Sequence, residues 1–92
     1  MDRSEKLFSL GRILITSRAH DVLERADVAE AMGRHAQGDW GELKPDDLKQ
    51  NDLALREGGR LVSAYHDRKE MRFLIVTEAD RSGTTVVLSE DY

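Results

Sequence analysis

Apolar positions along this chain follow two different rhythms. From Gly59 onward they come in short β-rich blocks separated by polar turns. Arg60–His66 alternates weakly, with Leu61, Ser63 and Tyr65 on one face and Val62 and Ala64 on the other. Met71–Thr77 is the densest apolar run and is expected to be the central strand, and Thr84–Ser89 is aliphatic and β-branched. Connections this short join antiparallel neighbours, so the pattern predicts a three-stranded antiparallel meander. Before Gly59 the apolar residues recur at helical spacing.

The N-terminal part resolves into three helices. Arg12–Thr16 is a short extended entry segment or strand. Thr16 or Ser17 can cap a helix over Arg18–Arg25, whose stripe is Ala19, Val22, Leu23 and Ala26. Asp27 and Glu30 have capping-box spacing and are expected to start a second helix ending near Gly38. Val28, Met32 and His35 share its apolar face. A third helix begins at Pro45, with Asp46 and Asp47 at its positive end, and stops at Gly58-Gly59 near Glu57. The expected fold is an α+β two-layer domain, with N-terminal helices packed on a C-terminal three-stranded antiparallel meander. Residues 1–92 make a single domain, with residues 1–6 frayed.

Composition narrows the function classes. The net charge of −4 disfavours sequence-independent binding to nucleic-acid phosphates, although the 14 Lys and Arg residues leave room for a local basic patch. The absence of cysteine removes disulfides, thiolate zinc sites and cysteine nucleophiles together, and fits a reducing cytoplasm. No apolar run approaches the length of a signal peptide or a membrane span, so a cytoplasmic protein without membrane contact is expected. No metal-ligand spacing, Gly-rich phosphate loop or nucleophile elbow occurs, and no cofactor is expected.

Several residues carry candidate chemistry. His35 is either a satisfied core histidine or a helix-mounted imidazole at a cleft edge, with a pKa suited to proton transfer. Trp40, flanked by Gly38-Asp39 and Gly41, either folds back onto the core or anchors a partner. Asn51 lies between Leu48 and Leu55 on the core-facing stripe of the third helix. Its amide must find partners, in the sheet, in the Asp39-Trp40 loop or in a ligand. The turn Glu78–Gly83 is either a solvated hairpin loop or the carrier of a carboxylate and a cationic fork, Glu78 and Arg81, beside Thr84 and Thr85. The stretch His66–Glu70 is expected to be a solvated hairpin tip. Thr84–Ser89, expected at a sheet edge, has no proline or lysine to block pairing with another chain.

The set Arg34-His35-Ala36-Gln37-Gly38-Asp39-Trp40-Gly41, Asn51, Ser63-Ala64-Tyr65, Ile75–Ser82, Thr84-Thr85 and Glu90-Asp91-Tyr92 resembles a family of small uncharacterised bacterial proteins. Its members are encoded on plasmids and other mobile elements, and some are labelled type I restriction subunit. The resemblance spans about residues 8–92. A proline often follows the last strand in that pattern, where this chain has Ser89. The resemblance implies a role in defence, counter-defence or plasmid maintenance, exercised by binding a host or mobile-element protein. The architecture is also similar to compact metal-independent ribonucleases of the barnase and toxin type.

Two functions are therefore expected. The first is a non-enzymatic protein-binding module whose face is built from Asp39, Trp40, Asn51, Glu78, Asp80 and Arg81, with a homodimer through a sheet edge as a further option. The alternative is a ribonuclease-like toxin acting on RNA. There His35 or Glu78 would be the base, Arg81 the phosphate clamp, and Thr85 or Tyr65 a hydrogen-bond donor.

Overall fold

The computed structural model describes residues 6–92; residues 1–5 of the tail expected to fray lie outside the described residues. Strand β1 (Arg12–Ile15) leads through helices α1 (Ser17–Val22), α2 (Arg25–Ala36) and α3 (Pro45–Glu57) to strands β2 (Leu61–His66), β3 (Arg72–Thr77) and β4 (Gly83–Leu88), and a 3-10 turn follows at Ser89–Asp91. The class is α+β, but the sheet is more than a meander. It has four strands in the order β1-β4-β3-β2, with β1 parallel to β4 and the other pairs antiparallel. A parallel neighbour needs a long connection, and here it contains the three helices and the β2–β3 hairpin. Thr84–Ser89 is therefore not an edge strand, because β1 lies along it in the register Ile13–Thr84 and Ile15–Val86.

Alternation along the strands divides the side chains into two apolar sets. Tyr65, Phe73, Ile75, Val86 and Leu88 pack against Ala19, Leu23 and Ala31 of the α1–α2 side. Ala64, Leu74, Val76 and Val87 form a second cluster on the other face, with Leu43 and Val62 beside them. Helix α3 does not join α1 and α2 on their face. It lies beside β2, held by the Asn51 side chain.

The helix boundaries follow tertiary contacts as much as local signals. Thr16 caps α1 by accepting from the Ala19 amide at 3.3 Å. Helix α2 starts earlier than expected, at Arg25, and Asp27 is not its cap. The Asp27 carboxylate instead takes three donors from Arg68 in the β2–β3 turn: the backbone amide at 2.8 Å, Nε at 3.0 Å and Nη2 at 2.9 Å. These bonds hold its pKa at about 2. The same turn is not simply solvated, since Asp67 is buried. Burial, the largest influence, raises the Asp67 carboxyl, but the amides of Glu24, Met71 and Lys69 together outweigh it and hold it below its usual value.

Candidate functional site

His35 is wholly buried and belongs to a chain of hydrogen bonds through the core. Its Nδ1 meets Ser63 Oγ, its Nε2 meets Thr77 Oγ1 at 2.8 Å, Thr77 meets Thr84 at 2.7 Å, and Thr84 donates to the Leu10 carbonyl at 2.7 Å. That last bond sets the direction of the bonds as far as the ring. The Thr84 proton goes to a carbonyl, so Thr84 accepts from Thr77 and Thr77 accepts from Nε2–H; because burial favours the neutral ring, Nδ1 accepts from Ser63. His35 is thus a neutral imidazole with both nitrogens engaged. Burial, followed by the nearby Arg81 charge, lowers its pKa to about 4. Phe8 and Trp40 meet the ring edge-on, with centroids 5.4 and 5.6 Å away. This is a core histidine and not an imidazole at a cleft edge.

Trp40 folds back rather than projecting. It is 3% exposed, and its Nε1 donates to Asp52 at 2.9 Å. Asp39 is held by Arg34 through Nε at 2.7 Å and accepts the Gly41 amide at 3.2 Å. Asn51 acts as a piece of strand. Its Oδ1 accepts the Val62 amide at 3.1 Å and its Nδ2 donates to the Val62 carbonyl at 2.5 Å. One step further along the same edge, the Ala64 amide donates to the Trp40 carbonyl and the Glu42 amide donates to the Ala64 carbonyl. The loop and Asn51 together close the outer side of β2.

The Glu78–Gly83 turn is likewise engaged in structure. Arg81 donates to the carbonyls of Gly59, Ala54, Glu78 and Ala79, adding a donor at the C-terminal end of α3 beside the Gly58 cap, and its guanidinium lies 5.6 Å from the Phe8 ring centroid. The Asp80 carboxylate accepts the Ser82 amide at 2.9 Å, an Asx turn. Glu78 is exposed and pairs with Arg60 at 3.4 Å. Thr85 follows Thr84 along β4, so it faces away from the His35 chain. Tyr65 donates to the Asp39 carbonyl at 2.6 Å, and its phenol is pushed up to about 12, mainly by burial. His35, Glu78, Arg81 and Thr85 do not converge on one cleft, and Trp40, Asn51 and Arg81 are held inward or on backbone rather than presented to a partner.

What remains open is the other edge of the sheet. The amides of Arg12 and Thr16 donate to the carbonyls of Ser82, just before β4, and of Val86 in β4, each at 3.0 Å. Alternation then turns the backbone N–H and C=O groups of Ile13 and Ile15 outward. Among the described residues β1 has no neighbour on that side. Its side chains are exposed as well: Ile13 54%, Leu14 47% and Ile15 40%. The other large exposed apolar residues, Leu7, Leu53 and Tyr92, do not form such a run. One edge of the sheet is thus closed by an asparagine and a loop, while the opposite edge is apolar and uncovered by any other described residue. The sequence reading assigned no role to Ile13, Leu14 or Ile15. The available signal was an unbroken aliphatic triplet in a segment too short to be buried on both faces.

No helix among the described residues is long and apolar enough to cross a membrane. Comparison with protein-family models, with curated proteins and with solved structures found no match.

Proposed function

We propose that this chain is a non-enzymatic protein-interaction module that works by strand addition at β1, taking an extended aliphatic segment of a protein as its ligand. The observation that carries this is the contrast between the two sheet edges. Val62 and Ala64 on β2 have their outward groups satisfied internally, whereas Ile13 and Ile15 on β1 present theirs beside exposed aliphatic side chains. Unprotected edges of this kind template pairing with another chain. Covering three half-exposed aliphatic side chains contributes roughly 1 kcal/mol each. In the mobile-element setting that the resemblance implies, such a module serves defence, counter-defence or plasmid maintenance. Against the ribonuclease-like alternative, His35 is enclosed by Ser63, Thr77, Phe8 and Trp40, the Arg81 guanidinium is engaged by backbone carbonyls, and the exposed Glu78 pairs with Arg60.

The test is site-directed photocrosslinking in bacterial cells. A photoreactive residue at position 14 is expected to yield covalent protein adducts. The same residue at position 80, in the Asp80 turn, is expected to yield none. Ile13→Pro removes an outward N–H without touching the bonds to β4, and should abolish the position-14 adducts. Adducts from position 80 alone would contradict the proposal.

A further inference from the structure

We infer that the strand that occupies the β1 edge is β1 of a second copy of this chain, paired antiparallel about a two-fold axis at Leu14. This rests on the reading of β1 as the interaction edge and names its occupant.

The exposed triplet Ile13-Leu14-Ile15 reads the same in both directions. An antiparallel copy therefore presents an identical row of side chains, which is what an isologous contact requires. The outward backbone groups belong to Ile13 and Ile15, as the β1–β4 bonds at Arg12 and Thr16 dictate. Only a register that sets Ile13 opposite Ile15 of the second copy lets these groups exchange N–H···O=C bonds within the triplet. That register places Leu14 opposite Leu14 of the second copy as a non-hydrogen-bonded pair, where side chains approach most closely.

The same register manages the charges. Arg12, the one charged residue of β1, falls opposite Thr16 and not opposite its own copy. A shift by one residue would turn bonded groups outward and break the match. Nothing within β1 resists this pairing, since the strand has no proline, lysine or bulge. Because the two-fold axis stands perpendicular to the sheet, the α1–α2 layers of both copies lie on the same side. The four-stranded sheet then continues, β4-β1 against β1-β4, into its double. The closed β2 edges end it on both sides, so association stops at two copies and does not run on into a fibre.

The experiment is sedimentation equilibrium of the full chain over a range of concentrations. The wild type is expected to reach twice its mass of 10.4 kDa as concentration rises. Leu14→Lys and Leu14→Glu are each expected to weaken association by more than about tenfold, since like charges then face each other in place of an aliphatic pair. An equimolar mixture of the two variants is expected to restore the doubled mass, because only the Leu14–Leu14 register brings lysine opposite glutamate. Circular dichroism checks that both variants stay folded. A wild type that remains at 10.4 kDa up to about 1 mM overturns the inference, as does a Leu14→Lys dimer or a mixture that fails to associate. If the wild type is monomeric while position-14 adducts with a different protein persist, the second copy is excluded and strand addition stands. If neither dimer nor adduct forms, both readings fall.

Discussion

Gly41→Ala is expected to destabilise this protein by about 3 kcal/mol or more, lowering the thermal midpoint by roughly 10–25 °C. Gly41 sits at φ +72, and a Cβ there would lie 2.0 Å from the Ala64 carbonyl oxygen and 2.8 Å from the Tyr65 ring. Both neighbours belong to β2, so neither can yield without moving the sheet edge. The clash also strikes the segment that closes that edge, since the Glu42 amide donates to the same Ala64 carbonyl. Gly33 supplies the control. It lies in α2 with nothing within 4 Å of a built Cβ, and Gly33→Ala should stabilise by about 0.5–1 kcal/mol. Thermal unfolding followed by circular dichroism reads both. A Gly41→Ala midpoint at or above wild type would contradict the close approach of Gly41 to the Ala64 carbonyl.

The second large effect is a loss of stability on mild acidification. Burial, with the Arg81 charge nearby, lowers the His35 pKa to about 4 in the folded chain, against the ordinary 6.5 of an imidazole in the unfolded one. Between those values the unfolded chain binds the extra proton and the folded chain does not, so stability rises with pH across this window. The contribution is complete above about pH 6.5, is lost progressively as pH falls towards 4, and amounts to about 3 kcal/mol at most. The cause is structural. Protonation makes Nδ1 a donor, so the Ser63 hydroxyl must reverse and find a new acceptor. The imidazolium is meanwhile left in the core beside Phe8 and Trp40, with no carboxylate among its hydrogen-bond partners. Carboxylates such as Asp27, at about 2, add their own acid loss below this range. Urea unfolding at a series of pH values should show the slope between pH 6.5 and 4, and His35→Gln should flatten it even if the variant is less stable throughout. An unchanged wild-type stability over this range would contradict the buried neutral imidazole.

The parts of this fold that were legible in the sequence are those whose signals are local. Helix α3 runs from Pro45 to Glu57 as its proline, acidic first turn and glycine stop indicated, and Gly58 takes the left-handed conformation at φ 86. The three C-terminal strands fall where alternation and short turns placed them. The misreadings come from partners distant in sequence. Asp27 and Glu30 satisfy the spacing of a capping box, but the Arg68 guanidinium, 41 residues away, takes the carboxylate. A parallel pairing such as β1 with β4 leaves no turn signature, so Thr84–Ser89 looked like an edge. His35, Trp40 and Asn51 were ambiguous because an amphipathic pattern shows only that a residue faces inward. Whether it meets a core, a ligand or a sheet edge depends on what the fold brings opposite: Ser63 and Thr77 for His35, Asp52 for Trp40, and Val62 for Asn51. The Ile13–Ile15 triplet was overlooked for the converse reason. Its significance lies in an edge that no other described residue covers.

Amide hydrogen exchange resolved by residue tests the edge contrast most directly. In dilute solution the outward amides of Val62 and Ala64 should exchange slowly, held by Asn51 and Trp40, while those of Ile13 and Ile15 exchange quickly. At high concentration the Ile13 and Ile15 amides should become protected, with Val62 and Ala64 unchanged. Fast exchange at Ile13 and Ile15 at every concentration would contradict pairing of β1 with a second copy, and protection there already in the dilute monomer would contradict an open β1 edge.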